Sequence, residues 1–492
     1  NTHKTTVPGA GTRRNTVIAM SNDVIVVLDC GATNVRAIAV DTEGRIVAKS
    51  ALPNATQPGQ ENPDWHIWSI DEIIGKFARC CATIKPELDA AGRRVVGLTV
   101  TTFGVDGALV DAEGELLYPV ISWKCPRTAS VMADIRRYIE PDELQRISGV
   151  GHFSFNTLYK FIWLRENRPE LLERAHAWLF ISSLINYRLT GVMTTDRTMA
   201  GTSQMFDLVQ DGFSNDILKL AGLSTELFPP LANPGSVIGT LKDDAAQRLG
   251  LPAGLPVTSA GHDTQFALFG SGAGMNQPVL SSGTWEILMA RTARVDTASL
   301  AGFAESTCEL DSAAGYYNPG LQWLASGVLE WVKETCWKGV AGGEVYAQMI
   351  AEAQAVAPGC NGVRMTPDFL AGGNGVGGGV FQGLSLGTTR GHLYRAALEA
   401  LSAKLAHQLH ELERICGFSA EQLILVGGGP KNTLWNQLKA DALKLPVRVV
   451  AENEMTVLGA ALYAYFGLGY FASPEAARDV VRYEYQLFEP AA

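Results

Sequence analysis

Two short turns of glycine and small polar residues are the first places in this sequence that could do chemistry. Each turn joins two apolar runs, VVLDCGATNVRAIAV at 26–40 and PVLSSGTWEILMARTA at 278–293, and Gly31 and Gly283 coincide when the runs are aligned. Glycine lets a backbone approach an anion and point its N–H groups at it, while hydroxyl groups add donors. One such turn alone would favour an ordinary hairpin. The pair indicates an enzyme that holds a nucleoside triphosphate between two halves.

The first turn begins at a carboxylate. Asp29 ends the apolar run that precedes Gly31, and Mg²⁺ prefers one or two carboxylates together with phosphate oxygens. We therefore predict that Asp29 helps to hold Mg²⁺, with a turn-capping aspartate as the alternative. Arg36, on the second run, would either reach the β- and γ-phosphates or pair with a carboxylate. The turn residues predicted to meet phosphate are Gly31, Thr33, Asn34, Ser282 and Gly283.

A second carboxylate follows a later apolar strand. In SAGHDTQFALFG, Asp263 lies in a loop of small residues ahead of a predicted helix, and catalytic groups collect at such strand ends in α/β sheets. Phosphorylation of an alcohol needs an acceptor for the hydroxyl proton and otherwise mostly positioning and charge neutralisation. We predict Asp263 as this general base and as a second metal ligand, with a helix-capping role as the alternative. His262 would hydrogen-bond the substrate or support the loop as a neutral side chain.

A triple glycine marks a possible adenosine site. The segment LVGGGPKNTLWNQ lacks both the GxGxxG and the GxxxxGK[ST] spacing, so neither a Rossmann nor a Walker site is predicted. Three glycines let the backbone lie flat against a planar ring, and a tight turn without a ligand is the alternative. The predicted adenosine contacts are Gly427, Gly428, Gly429 and Asn432.

Residues suited to a polyhydroxylated substrate lie in the first half of the sequence. Asp106 comes two residues after Gly104, which ends a predicted strand, and its carboxylate can accept hydrogen bonds from two hydroxyl groups. Trp65 or Trp123 could cover the apolar face of a sugar, or could simply lie in the core.

Composition limits the class of protein. The chain has 492 residues, 18% of them charged and 47% hydrophobic, as in a soluble α/β enzyme of two to four domains. A net charge of −10 argues against nucleic-acid binding through a basic field. No apolar run is long enough to span a membrane, and the eight cysteines show no metal-ligand spacing, which favours reduced thiols in the cytoplasm. Homo-oligomer formation stays open.

Residues 1–19 lack the apolar segment of a secretory signal and are expected to be a disordered lead or upstream extension. After them, strands and helices alternate, and the glycine cluster at 270–274 divides the chain into predicted domains at 20–270 and 271–492. Both halves share one order: hairpin, third strand, helix, strand ending in glycine, helix. This duplication predicts two ribonuclease-H-like domains of the actin and hexokinase ATPase type, with a cleft between them. The second half is predicted to contain a helix over 321–334.

Two segments carry a family resemblance. FNTLYKFIWLREN at 155–167 and GVFQGLSLGTTRGHLYRAALE at 379–399 resemble, position by position, the two signature segments of the FGGY carbohydrate kinases. The resemblance extends over roughly Ser21 to Ala492 and implies ATP-dependent phosphorylation of a sugar. The ATP contacts that it implies are Ala32, Thr33, Asn34, Arg36, Thr284 and Gly428, and the implied sugar contacts are Gly104, His262, Asp263, Thr264 and Asn318.

The resemblance also indicates the sugar. Segments along the whole chain, including TTFGVDGALVD and LQWLASGVLEWV, are similar to family members that phosphorylate L-fuculose at O1 in the breakdown of L-fucose. The HDT triplet and the SSGTW loop are also similar to members acting on rhamnulose, so another ketose is an alternative. An actin- or chaperone-like ATPase is a third interpretation, which the aromatic residues and Asp263 disfavour.

Overall fold

Two mixed β-sheets, one in each half of the chain, organise the fold. The structure is a computed structural model that describes residues 22–370, 376–427, 431–451 and 454–491. The strands are β1 (Asp23–Cys30), β2 (Asn34–Asp41), β3 (Ile46–Pro53), β4 (Gln57–Pro58), β5 (His66–Trp68), β6 (Arg94–Thr102), β7 (Gly107–Val110), β8 (Val120–Ile121), β9 (Ala177–Phe180), β10 (Thr195–Asp196), β11 (Phe206–Asp207), β12 (Gly212–Phe213), β13 (Leu231–Ala232), β14 (Val237–Thr240), β15 (Pro256–His262), β16 (Val279–Ser282), β17 (Trp285–Met289), β18 (Ser306–Leu310), β19 (Tyr317–Leu324), β20 (Arg364–Thr366), β21 (Val380–Gln382), β22 (Leu423–Gly427), β23 (Val447–Val450) and β24 (Tyr485–Phe488).

Helices connect and cover these strands. They are α1 (Ile70–Ala90), α2 (Ala129–Ala133), α3 (Pro141–Ser148), α4 (Thr157–Asn167), α5 (Pro169–Arg174), α6 (Ile181–Thr190), α7 (Arg197–Ala200), α8 (Asn215–Leu220), α9 (Asp243–Leu249), α10 (Asp263–Gly270), α11 (Thr297–Ala301), α12 (Ser326–Cys336), α13 (Val345–Gln354), α14 (Arg390–Cys416), α15 (Thr433–Leu443), α16 (Met455–Gly467) and α17 (Pro474–Asp479). Short 3-10 turns lie at Pro126–Thr128, Ile135–Arg137, Thr225–Leu227 and Cys360–Gly362.

The first sheet has the order β14-β15-β6-β1-β2-β3. Its strands β1, β2 and β3 form an antiparallel meander, because the apolar runs are joined by short polar turns. Strands β6 and β15 then add in parallel beside β1, and β14 pairs antiparallel at the edge. Both faces of β1 are buried, which explains why its sequence is continuously apolar rather than alternating.

The second sheet repeats this plan in the order β18-β19-β17-β16-β22-β23-β24. Strands β16, β17 and β19 form the antiparallel meander, β22 and β23 add in parallel beside β16, and β24 is the antiparallel edge. The duplicated order predicted from the sequence is therefore confirmed. Strands β1 and β16 hold the same place in their sheets, so the two glycine turns that follow them do as well.

Helix α16 of the second half packs on the first sheet. Its buried Val457 and Ala460 share one apolar cluster with Ile25 and Val27 of β1. It also crosses α10 at very short range: a Cβ added to Gly459 would lie 2.0 Å from the carbonyl oxygen of Phe266. The two helices therefore touch backbone to backbone, and no residue larger than glycine fits at the crossing.

One predicted element is wrong. The helix predicted over 321–334 begins only at Ser326, because the residues up to Leu324 belong to β19, which pairs with both β17 and β18. None of the helices within the described residues is long and apolar enough to cross a bilayer. All eight cysteines, which lie in the described ranges, are free.

Candidate active site

A cavity of about 370 Å³ lies between the two halves. The first half lines it beyond the carboxyl ends of β6 and β15, and ligands of open α/β sheets usually bind at such strand ends. Residues of the first half that line it are Phe103, Gly104, Val105, Trp123, Val150, Phe153, Phe155, Asn156, Thr202, His262 and Thr264. From the second half come Ile287, Met289, Glu305, Thr307, Glu309, Gly320, Leu321 and Gln322. Neither Lys nor Arg occurs among these described lining residues, so the cavity suits a ligand without negative charge.

Asp263 lies between two residues that line this cavity, His262 and Thr264. It is the first residue of α10, directly after β15, and its side chain is 34% exposed. Removal of water by the surrounding protein raises the pKa of Asp263, the nearby histidine opposes this, and the negative charge of Asp29 raises it further. A carboxylate with a raised pKa is a better proton acceptor than an ordinary aspartate. The geometry therefore allows a general base at the cavity.

His262 links the first half to the second. Its Nδ1 lies 3.0 Å from Oε2 of Glu309 on β18, and its Nε2 lies 3.5 Å from Oδ1 of Asp263. Burial alone would lower the pKa of His262, but the carboxylates of Glu309 and Asp263 raise it to about 9. At neutral pH the histidine is therefore protonated, and it pairs with Glu309 across the boundary between the halves.

We expect Glu309→Gln to lose the stability that the ion pair with His262 contributes, and this contribution depends on pH. Because the pKa of His262 is raised from about 6.5 to about 9, the ion pair contributes its full stability below about pH 6.5 and loses it as the pH rises through 9. The Tm of the unchanged protein should exceed that of Glu309→Gln at pH 6.5, and the difference should shrink by pH 9.5. Glu305→Gln is the control, because Glu305 lines the same cavity but bonds Gln322. A Tm difference that does not depend on pH would contradict the ion pair.

Asp29 and Asp263 lie at the same end of the first sheet, at the carboxyl ends of β1 and β15. In the register of the first sheet, Asp29 is opposite Thr101, and Thr101 is opposite Gly261 on β15. Two strand spacings separate the first and last of these positions, or about 10 Å between their backbones. The hydroxyl group of Thr101 donates to Oδ1 of Asp29 at 3.0 Å. The two carboxylates are therefore close enough for the charge of Asp29 to raise the pKa of Asp263.

Arg36 is held by carboxylates. Its Nη2 donates to Oδ2 of Asp29 at 2.7 Å, and its Nη1 donates to Oε2 of Glu454, just before α16, at 2.7 Å. Of the two alternatives for Arg36, the structure described here has the carboxylate pairing. One of the two partners belongs to the second half, so this guanidinium is also a bridge between the halves.

The two glycine turns have similar hydrogen bonding. The Gly31 N–H donates to the carbonyl of Asn34 at 2.8 Å, and the Gly283 N–H donates to the carbonyl of Trp285 at 3.0 Å. Each turn thus bends tightly at its glycine, and the residues after the glycines, Thr33, Asn34 and Thr284, are exposed while Ala32 is half-buried. Exposed hydroxyl and amide groups at such tips are free to meet phosphate.

Ser282 and Gly427 meet at the end of the second sheet. They are opposite each other in β16 and β22, and a Cβ added to Gly427 would lie 2.5 Å from the Ser282 carbonyl oxygen. The Ser282 hydroxyl is buried and has no hydrogen-bond partner within the described part of the chain. Gly428 and Gly429, predicted to contact adenosine, lie outside the described residues. Asn432 caps α15 by accepting from the Trp435 N–H at 3.0 Å, and its amide nitrogen donates to Tyr394 at 2.9 Å.

Three predicted sugar contacts lie away from the cavity wall. Asp106 is fully buried, with Lys160 Nζ 3.0 Å from its Oδ1. Asn318 is also fully buried and donates to Oδ1 of Asp311 at 2.8 Å. Trp65 packs at right angles to Trp163 and under the guanidinium of Arg127, whose central carbon lies 3.9 Å from a ring centroid of Trp65. Gly104, His262 and Thr264 do line the cavity.

Sequence reasoning missed much of the wall. Phe153 and Phe155 stack with ring centroids 5.2 Å apart, but they lie in a loop, which no helical or strand periodicity marks in the sequence. The second-half residues Glu305, Glu309 and Gln322 offered no signal either, because polar residues are usually solvent-facing. Only the packing of the two halves brings them to the cavity.

The chain was compared with known proteins. Residues 24–270 match the N-terminal domain, and residues 279–468 the C-terminal domain, of the FGGY family of carbohydrate kinases. It is similar to a protein named L-fuculokinase from Escherichia coli (strain K12), with 59% identity over 96% of this chain and 98% of that protein. A protein of the same name from Haemophilus influenzae is 43% identical over 93% of this chain and 98% of its own length. Among solved structures, xylulose kinase from Rhodospirillum rubrum has a TM-score of 0.84 and 25% identity, covering 95% of this chain and 94% of that one.

Proposed function

Because this chain belongs to the FGGY family of carbohydrate kinases, we propose that it transfers the γ-phosphoryl group of ATP to O1 of L-fuculose. The observation that carries the choice of sugar is the likeness, over nearly the whole chain, to proteins named L-fuculokinase. The cavity supports it: aromatic and aliphatic side chains on its wall suit the methyl group of a 6-deoxyketose, and polar residues of both halves suit its hydroxyl groups. ATP is the phosphate donor of the family.

In this proposal Asp263 accepts the proton of the O1 hydroxyl as O1 bonds to the γ-phosphorus and the bond to the β-phosphate oxygen breaks. ADP and L-fuculose 1-phosphate leave. His262, Thr264 and Gly104 border the sugar, while the exposed hydroxyl and amide side chains of the turns after β1 and β16 bind the phosphates. Gly427 and its neighbours would border the nucleotide. These roles rest on the position of each residue at the cavity or at the two turns.

We propose Asp29 and Asp263 as the residues that hold Mg²⁺, which when bound would neutralise phosphate charge. The two carboxylates repel each other, since Asp29 raises the pKa of Asp263, and a bound cation would relieve this. Oδ1 of Asp29 accepts one hydrogen bond, from Thr101, and keeps a further lone pair, whereas Oδ2 accepts two from Arg36. The described residues contain no group of three or more His, Cys, Asp or Glu side chains able to hold a metal. Such a sparse set fits Mg²⁺, which takes most of its ligands from phosphate and water.

Asp29→Asn is expected to raise the Mg²⁺ concentration needed for half-maximal rate by about 10- to 100-fold, because one negative charge near the ion is lost. The measurement is a titration of ADP release with Mg²⁺ at saturating ATP and sugar. Asp23→Asn is the control: Asp23 is a buried carboxylate at the opposite end of β1, paired with Arg94. Equal Mg²⁺ dependence in Asp29→Asn and the unchanged protein would contradict the metal role.

A panel of sugars tests the substrate. We expect L-fuculose to give the highest kcat/KM, ketoses with the same C3–C4 configuration to give measurable rates, and glycerol or D-xylulose to give little. The preference for a methyl group should be modest, since an apolar wall rejects an added hydroxyl by only about 10²-fold. A higher kcat/KM for L-rhamnulose or D-xylulose would overturn the substrate. ADP release that no free sugar stimulates would favour an actin- or chaperone-like ATPase instead.

We also propose a division into domains at 20–270 and 271–492, which places one sheet in each domain. A cytoplasmic location is proposed as well, and the eight free cysteines support it, because unpaired thiols persist in reducing compartments.

A further inference from the structure

The cavity wall is backed by an ion pair that no water reaches. The carboxylate of Asp106 is 0% exposed and the ammonium of Lys160, on α4, is 1% exposed, with Nζ and Oδ1 3.0 Å apart. Removing two charges from water is costly, and apolar residues of similar volume often stabilise a core at least as well. The pair therefore calls for an explanation other than stability.

Both members of the pair also bond to backbone groups of cavity-lining residues. The backbone N–H of Trp123 donates to Oδ2 of Asp106 at 3.0 Å, and Lys160 Nζ donates to the carbonyl of Phe155 at 2.6 Å. Trp123 and Phe155 come from different loops, and their rings pack edge to face on the cavity wall, 6.2 Å apart. The ion pair thus fixes the two loops relative to each other.

A third lining residue is held in an unfavourable conformation beside the pair. Val105 has a φ of +64°, in the left-handed region that a β-branched residue rarely adopts. Its carbonyl accepts from the hydroxyl of Thr157 at 2.7 Å and lies 3.5 Å from Lys160 Nζ, and its N–H donates to the hydroxyl of Thr202 at 3.1 Å. Such a conformation persists only where the surroundings enforce it, and it turns Val105 into the cavity wall.

We infer that Asp106 and Lys160 are positioning residues that fix Trp123, Phe155 and Val105, and thereby set the sugar selectivity of the cavity. This inference rests on the proposed ketose kinase activity. The pair touches no reacting atom. It acts through the shape of the wall, so its loss should affect the fit of the sugar more than the binding of ATP.

The test uses Asp106→Asn, Lys160→Met and Thr157→Val in the full chain, with L-fuculose and its C4 epimer L-rhamnulose. Since small displacements at a site can cost up to about 10²-fold, we expect the KM for L-fuculose to rise about 10-fold or more in the first two variants. The ratio of kcat/KM between the epimers should fall, and the KM for ATP should stay within about twofold. Thr157→Val removes the hydrogen bond to the Val105 carbonyl but leaves no buried charge unpaired. This variant should therefore fold and show a smaller fall in the kcat/KM ratio between the epimers.

Lys439→Met is the matched control. Lys439 and Glu286 form an equally buried pair, both 0% exposed and 3.0 Å apart, in the second half, and neither lines the cavity. This variant should have a lower Tm but the same ratio of kcat/KM between the two epimers as the unchanged protein. An unchanged ratio in folded variants of Asp106 or Lys160, or in Thr157→Val if those do not fold, would overturn the inference. Failure of the unchanged protein to phosphorylate L-fuculose would instead overturn the proposed function.

Discussion

Replacing Asp263 with Asn is expected to lower kcat by about 10²- to 10⁴-fold while leaving the affinity for sugar nearly unchanged. The amide keeps the shape of the side chain and can still hydrogen-bond a hydroxyl group, but it cannot accept the hydroxyl proton. Coupled ADP release gives kcat, and calorimetric titration with the sugar gives the affinity.

The control for Asp263 is Asp243→Asn. Asp243 is also the first residue of a helix, α9, where it can interact with the helix N-terminus. If Asp263 served only its helix, both variants would lose a little stability and keep their turnover. Near-normal kcat in Asp263→Asn would therefore rule out its role as the base and leave only a role in the first turn of its helix.

Gly459→Val is expected to lower the free energy of unfolding by about 3 kcal/mol or more, at the upper end of overpacking effects. The added side chain would begin 2.0 Å from the Phe266 carbonyl oxygen, and backbone cannot move aside as a flexible side chain can. Urea unfolding followed by tryptophan fluorescence measures the change. Gly343→Val is the control, since an added Cβ there meets nothing within 4 Å. Equal stability of the two variants would show that α10 and α16 do not pack as described.

Local sequence was sufficient for features made of neighbouring residues. The duplicated hairpins, the glycine turns and the strand that delivers Asp263 all follow from apolar periodicity and turn residues within short windows. The family resemblance, confirmed by the matches to both FGGY domains, supplied what those windows could not, namely the kinase activity and the sugar class.

Features made by distant residues were not predictable in the same way. Asp106 was predicted to bind the sugar because it follows a strand end. In the structure Lys160 of α4 forms an ion pair with its carboxylate instead. Glu309 reaches His262 from the other half of the chain. In both cases the partner is fixed by tertiary packing, and nothing in the spacing along the sequence distinguishes it from a solvent-exposed charge.

The contact between α10 and α16 also determines where Asp263 lies. Where backbone meets backbone there are no flexible side chains between the helices that could yield, so their separation is fixed closely. Asp263 begins α10, and its carbonyl accepts a hydrogen bond from the Thr456 hydroxyl of α16 at 3.3 Å. The position of the proposed base is therefore set by two backbones, one from each half of the chain, and not by the conformation of neighbouring side chains.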